Sequence, residues 1–256
     1  MPDYTTFVRN IKNKTKIDLS MYKEAQMKRR LTSLYERRGY RNFTEYAQAL
    51  QTDRELLDEF LDRMTINVSE FYRNAQRWEV LEQKIFPSLL ANNPKLKIWS
   101  AACSTGEEPY SIAMTLSTHV PLKDISILAT DLDQGVIQTA KNGVYPEKSL
   151  KEVPRKIVQK YFEKEGRFFK VKDEILRTVT FKQHNLLHDR YESGFDLIVC
   201  RNVMIYFTDE AKDQIYTNFS KSLKPGGVLF VGSTEQIFNP GQYGFESIET
   251  FFYRKV

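Results

Sequence analysis

LKIWSAACSTGEEPYSIAM, residues 96–114, decides the fold: an apolar β-type run passes through a loop of small residues into a helix opening at Pro109. The same alternation continues downstream. ISILAT (125–130) leads into LDQGVIQTAK (132–141), VTFKQH (179–184) follows, and FDLIVC (195–200), AKDQIYTNFSKSL (211–223) and GVLFVG (227–232) complete it. Strands alternating with helices predict an α/β fold, a doubly wound, mostly parallel sheet with helices on both faces. Residues 244–254 return as a hairpin or antiparallel edge.

The interval from Gly143 to Thr178 is too long for a simple crossover and implies an insertion of about 143–178. Within it, a short helix is expected near Pro154 to Phe162. RFFKV (167–171) and ILRTV (175–179), separated by the turn-like KDE, are expected to form a small antiparallel β-subdomain. Upstream the chain reads as helical. Tyr22, Ala25, Met27, Leu31, Leu34 and Tyr35 recur at helical spacing up to a stop at Gly39, and further helices cover Phe43 to Leu50, Asp53 to Met64 and Ala75 to Leu90. Asn92, Asn93 and Pro94 break the pattern. The expected plan is an all-helical domain over 1–75, a linker helix over 76–94 and a ligand-binding domain over 95–256 that carries the insertion.

Composition excludes several classes. No apolar run approaches the roughly 18 residues that span a bilayer, and the start, MPDYTTFVRN, lacks the apolar core of a secretory signal, so a cytoplasmic protein is expected. Cys103 and Cys200 form no CxxC pair and no histidine has metal-ligand spacing, so neither a disulfide framework nor a metal site is expected. The net charge is +5, and one stretch carries an equal excess: Lys23, Lys28, Arg29, Arg30, Arg37, Arg38 and Arg41 stand against Glu24 and Glu36.

Ligands of open parallel sheets bind beyond the carboxyl ends of the strands. Four such ends carry chemistry here. Ala101, Ala102, Ser104 and Gly106 leave room for a ligand to approach backbone, with Glu107 and Glu108 immediately after. Asp131 follows the second strand, where a carboxylate accepts hydrogen bonds from both hydroxyls of a ribose. Asn185 offers an amide to the edge of a base, and Arg201 and Asn202 precede Tyr206. The first loop has a single glycine, so the GxGxxG dinucleotide fingerprint is absent. Ser104 lies in no GxSxG elbow and no histidine has a triad context, which removes the hydrolase reading.

The strings IWSAACSTGEEPYSIAM, ATDLD, HNLL, FDLIVCRNVMIYF, LKPGGVLFVGSTE and TINVSEFYRN together resemble the chemotaxis receptor methyltransferases, the CheR-type protein-glutamate O-methyltransferases, nearly end to end. The resemblance implies a class I methyltransferase-like fold, S-adenosylmethionine as cofactor, S-adenosylhomocysteine as product and no metal. It further implies cofactor contacts from Asn67, Ser69, Arg73, Ala102, Glu107 or Glu108, Asp131, Leu132, Asn185, Leu186, Arg201 and Asn202. Ser69 stands where the family has threonine, and both carry a hydroxyl. Arg73 and Tyr206 are placed near the transferred methyl and the incoming carboxylate. The implied substrate is a glutamate on the cytoplasmic helical domain of a methyl-accepting receptor, with the insertion as a protein-binding subdomain. Clustered acids on such a helix suit the basic stretch, so Lys28, Arg29, Arg30, Arg37 and Arg38 are the expected substrate-binding residues. A monomer that neither binds nucleic acid nor inserts into a membrane is expected. A nucleic-acid methyltransferase is disfavoured because the fourth strand runs into CRNVMIYF and not a DPPY-like loop. A receptor-binding module without catalysis is disfavoured by the acids and amides at the strand ends.

Overall fold

The computed structural model describes residues 2–65 and 67–256, and the chain divides into two compact units. The first takes in the first 66 residues together with 185–190 and 203–216; the second comprises 67–184, 191–202 and 217–256. Two short segments that follow sheet strands in sequence therefore group with the amino-terminal helices.

In the first unit, helices α1 (Pro2–Thr15), α2 (Glu24–Arg37), α3 (Phe43–Thr52) and α4 (Arg54–Met64) match the expected periodicity. Local chemistry sets their ends. Gly39, at φ +83°, stops α2, while the Asn42 and Asp53 side chains accept the Glu45 and Leu56 N–H groups, each at 2.9 Å, to open α3 and α4. Phe7, Leu31, Tyr46, Leu50 and Phe60 form the buried centre of these helices. Phe7 lies 4.9 Å from the Phe43 ring and 6.0 Å from that of Phe60.

The second unit is built on strands β1 (Lys97–Ala101), β2 (Ser126–Asp131), β3 (Val144–Pro146), β4 (Phe162–Glu165), β5 (Phe168–Val171), β6 (Val179–Gln183), β7 (Phe195–Cys200), β8 (Leu223–Val231), β9 (Phe245–Glu249) and β10 (Phe252–Lys255). Among the described residues, seven of these form one sheet in the order β6-β2-β1-β7-β8-β10-β9. Pairings from β6 through β8 are parallel; β10 runs antiparallel to both β8 and β9, giving the expected terminal hairpin. Parallel pairing brings the carboxyl ends of β2, β1 and β7 side by side, so the loops beginning at Ala102, Leu132 and Arg201 open on one edge. Every residue of β7 is buried, as a strand covered on both faces requires. Helices Glu107–Leu116 and Gln134–Asn142 follow β1 and β2. The helix expected over Ala75 to Leu90 is present but carries a π turn at Leu81–Ile85, and a helix at Asp209–Ser222 precedes β8.

The insertion contains a separate antiparallel sheet in the order β3-β5-β4 and a helix at Arg155–Tyr161. One expectation fails here. RFFKV supplies β5, but ILRTV is no partner strand: Asp173–Leu176 is a helical turn that buries Ile175, and Val179 already begins β6. β5 pairs instead with FEKE on one side and VYP on the other. Glu165 faces Phe168 across a two-residue turn in which Gly166 adopts φ +61°. Phe71 anchors this sheet edge-on against the rings of Tyr145, at 4.8 Å, and Phe162, at 5.1 Å. No helix among the described residues is long and apolar enough to cross a membrane.

Candidate active site

The loop after β1 is held in a shape that most side chains disfavour. Ala102, Ser104 and Gly106 have φ of +62°, +49° and +94°, and the curl turns the backbone of Cys103 and Ser104 back towards β2. The Cys103 N–H donates to the Thr130 carbonyl at 2.9 Å and the Ser104 N–H to the Asp131 carboxylate at 2.8 Å. A Cβ at Gly106 would meet the Ala140 Cβ at 2.8 Å and the Tyr145 hydroxyl at 3.0 Å, which accounts for the loop's single glycine.

Asp131 is 7% exposed, and its two oxygens accept the Ser104 N–H and, at 3.0 Å, the Asp133 N–H. A carboxylate has about four lone-pair directions. These bonds therefore fix it without exhausting it, and it can still accept hydroxyl donors from a ligand. Burial raises its pKa against the pull of the backbone donors. Asp133 caps the helix Gln134–Asn142 and also accepts the Asn67 side-chain amide at 3.0 Å, so Asn67 is tied to the same loop. The Leu132 carbonyl accepts from the Gln183 side chain at 2.9 Å.

Glu107 is buried and Glu108 nearly so, with different surroundings. Glu107 accepts from the Thr105 hydroxyl at 2.6 Å and also bonds Ser69. Glu108 accepts the Ser100 hydroxyl at 2.8 Å through one oxygen; the other lies 3.8 Å from the Arg201 guanidinium, beyond hydrogen-bond length. Burial raises both, Glu108 up to about 7 despite the charge of Arg201. Arg201 is stacked 4.8 Å from the Phe230 ring and 5.6 Å from that of Trp78, and donates to the Arg73 carbonyl at 2.7 Å. The Arg73 side chain itself donates to the Val68 carbonyl at 3.2 Å. Asn202 adopts φ +61°, and its N–H is accepted by Glu235, as is that of Gly232. Ser100, Asp133 and Glu235 support this site and were not expected. Glu235 had a readable signal, an acid just past β8 in GSTE.

In the first unit, Asn185 is committed to a turn: its side-chain oxygen accepts the Leu187 N–H at 2.9 Å, and Leu186 beside it is buried. Tyr206 ends a 3-10 turn at Met204–Tyr206 and lines a groove of about 570 Å³ with Arg29, Arg30 and Arg37 of α2 and Arg63 of α4. Arg63 has no counterpart among the expected residues. Lys28 and Arg38 are elsewhere: the Lys28 ammonium lies 5.4 Å from the Tyr4 ring, and Arg38 pairs with Glu59 at 2.7 Å.

Three acids, Glu107, Glu108 and Asp131, each with its pKa raised by desolvation, favour a ligand that brings hydroxyl donors and a positive charge. Two buried polar atoms nearby, Ser104 Oγ and Arg201 Nε, have no hydrogen bond among the described residues and offer further contacts. S-adenosylmethionine, with a ribose, an ammonium and a sulfonium, fits this donor set. No group of three or more His, Cys, Asp or Glu among the described residues could hold a metal. Cys103 and Cys200 are buried thiols whose pKa burial pushes up, so neither is activated.

Residues 67–252 match the family model described as CheR methyltransferase, SAM binding domain, and residues 2–65 the one described as CheR methyltransferase, all-alpha domain. A chemotaxis protein methyltransferase of Listeria monocytogenes is 45% identical over 255 residues, covering 99% of this chain and 97% of the relative. That of Listeria innocua is 46% identical with the same coverage. The Borreliella burgdorferi protein of the same name is 34% identical over 267 residues, covering 99% of this chain and 94% of its own.

Proposed function

The chain belongs to the CheR methyltransferase family, an S-adenosylmethionine-dependent methyltransferase, and from that premise we propose that it methylates glutamate side chains on the cytoplasmic helical domain of chemotaxis receptors, giving glutamyl methyl esters. The observation that carries this reading is the joint placement of Asp131 at the end of β2, Arg201 just past β7 and Glu108 in the helix after β1, the strand between them. The protein acts as a cytoplasmic monomer, with 1–75 as amino-terminal helical domain, 76–94 as linker helix and 95–256 as the S-adenosylmethionine-binding catalytic domain that carries the inserted β-subdomain.

When bound, S-adenosylmethionine supplies an electrophilic methyl on a sulfonium. Asp131 and Leu132 hold its ribose, Asn185 and Leu186 its base, and Glu108 its ammonium. Glu108 is favoured over Glu107 because its second oxygen has only the long contact to Arg201, whereas Glu107 is taken up by Thr105 and Ser69. Asn67, Ser69, Ala102, Arg201 and Asn202 complete the pocket. A glutamate with an ordinary pKa of about 4.3 is ionised at neutral pH, so the enzyme needs no general base. That agrees with a site whose titratable side chains are acids and arginines. Arg73 orients the substrate carboxylate and Tyr206 borders the methyl-transfer position; their work is alignment and exclusion of water from a strongly hydrated anion.

Purified receptor cytoplasmic fragments should accept a labelled methyl group that is released as methanol by base. Asp131→Ala should abolish incorporation. Label found in lysine, in nucleic acid or in no receptor position would remove the glutamate assignment.

A further inference from the structure

Tyr206 is anchored by the amino-terminal helical region, and the anchor sits beside the arginine groove. Residues 203–208 close only a single 3-10 turn, with Tyr206 N–H on Val203 O and Phe207 N–H on Met204 O, both 3.2 Å. A turn that short leaves a side chain poorly fixed on its own account. The segment leading into α2 supplies the missing restraint. Lys23 N–H donates to Tyr206 O and Thr208 N–H to Met21 O, both at 2.9 Å, forming an isolated antiparallel bridge between Tyr22 and Phe207. These two bonds flank Phe207, and the first holds the Tyr206 carbonyl. The Tyr22 ring packs edge-on against the Phe207 ring at 4.9 Å, and the Arg30 guanidinium lies 5.6 Å from the Tyr206 ring centre while donating to the Met64 carbonyl.

We propose that Tyr22 is a positioning residue for Tyr206, so that the helical region sets the catalytic turn as well as docking the substrate. The inference rests on the reading of Tyr206 as a residue bordering methyl transfer. Its physical content is that the Tyr22–Phe207 ring contact keeps the bridge in register, and the bridge holds the Tyr206 backbone. Misplacement of about an ångström at such a position costs on the order of a hundredfold in rate. Loss of the ring contact therefore acts on turnover and leaves the groove arginines, which are separate side chains, to bind the substrate.

The test is a comparison of Tyr22→Ala, Tyr22→Leu and Tyr22→Phe in the full chain, read as single-turnover rate, receptor-fragment KM, S-adenosylhomocysteine affinity and Tm. The expected result is a rate loss of tenfold or more, about 1.4 kcal/mol, in Tyr22→Ala and Tyr22→Leu, with KM and S-adenosylhomocysteine affinity held and the rate restored in Tyr22→Phe. Tyr22→Leu keeps apolar volume and serves if the alanine variant does not fold. An unchanged rate in Tyr22→Leu, or a loss confined to KM or Tm, overturns the proposal. Tyr206→Ala separates the two failures: if it retains the wild-type rate the role of Tyr206 is wrong, and if it is inactive while Tyr22→Leu is normal only the positioning is wrong.

Discussion

Glu108 is the residue whose environment makes the sharpest prediction. Its carboxyl is pushed up from an ordinary 4.5 to about 7, chiefly by burial, so across that window the native state holds a proton that the unfolded chain has released. The contribution to stability is therefore largest at the acid end and is lost as pH rises towards 7. Glu108→Gln should flatten this part of the stability profile, and urea melts from about pH 5 to about pH 8 would measure it. An equal slope in both proteins would place the titration elsewhere. A ligand ammonium beside Glu108 reverses the balance by favouring the carboxylate. S-adenosylmethionine affinity should accordingly rise with pH through about 7, with proton release detectable by calorimetry in buffers of different ionisation enthalpy. Binding without proton release would exclude Glu108 as the ammonium's partner. Gly106 makes a separate, steric prediction: at φ +94° with Ala140 in the way, Gly106→Ala should destabilise by roughly 1–3 kcal/mol and lower Tm.

Among the elements, the parallel strands of the main sheet were legible because each carries a short β-type run beyond which a loop opens, as in FDLIVC after Gly194. Caps and stops at Gly39, Asn42 and Asp53 fixed the amino-terminal helices for the same local reason. The insertion was misread because KDE looked like the turn, whereas the conformational demand falls on Gly166 in KEGRF. Site residues directly after a strand could be read from their position. Arg63 could not, since the arginines it joins in the groove lie on another helix far off in sequence; Ser100 lies inside a strand, and Glu235, though an acid just past β8, takes its role from the bond from Asn202, 33 residues away. The π turn at Leu81–Ile85 likewise has no marker in the sequence. Phe71 illustrates such a long-range element contact, standing in the segment after α4 but packing on Tyr145 and Phe162 of the insertion. Phe71→Ala should cost about 3–5 kcal/mol, measured by denaturant unfolding. A cost under about 1 kcal/mol would mean that the inserted sheet does not depend on this anchor.

For the whole molecule, the question is whether net charge or its placement selects the substrate. The chain's excess of +5 is modest, and a diffuse field of that size is screened beyond about 8 Å at physiological salt. Placement is uneven, however. Arg29, Arg30, Arg37 and Arg63 converge on one groove, whereas Arg38 is neutralised by Glu59 and Lys28 lies over Tyr4. Two double reversals change net charge equally, Arg29→Glu with Arg30→Glu and Lys28→Glu with Arg38→Glu, yet only the first removes cations from the groove. If a clustered-acid helix is recognised there, the first pair should lower kcat/KM for receptor fragments by more than about tenfold and reduce its dependence on salt. The second pair should do distinctly less, and S-adenosylhomocysteine affinity should hold in both. Equal losses from the two pairs would make overall charge the determinant, and inhibition of methylation by DNA as strong as by an acidic helical peptide would assign the groove to polyanions in general.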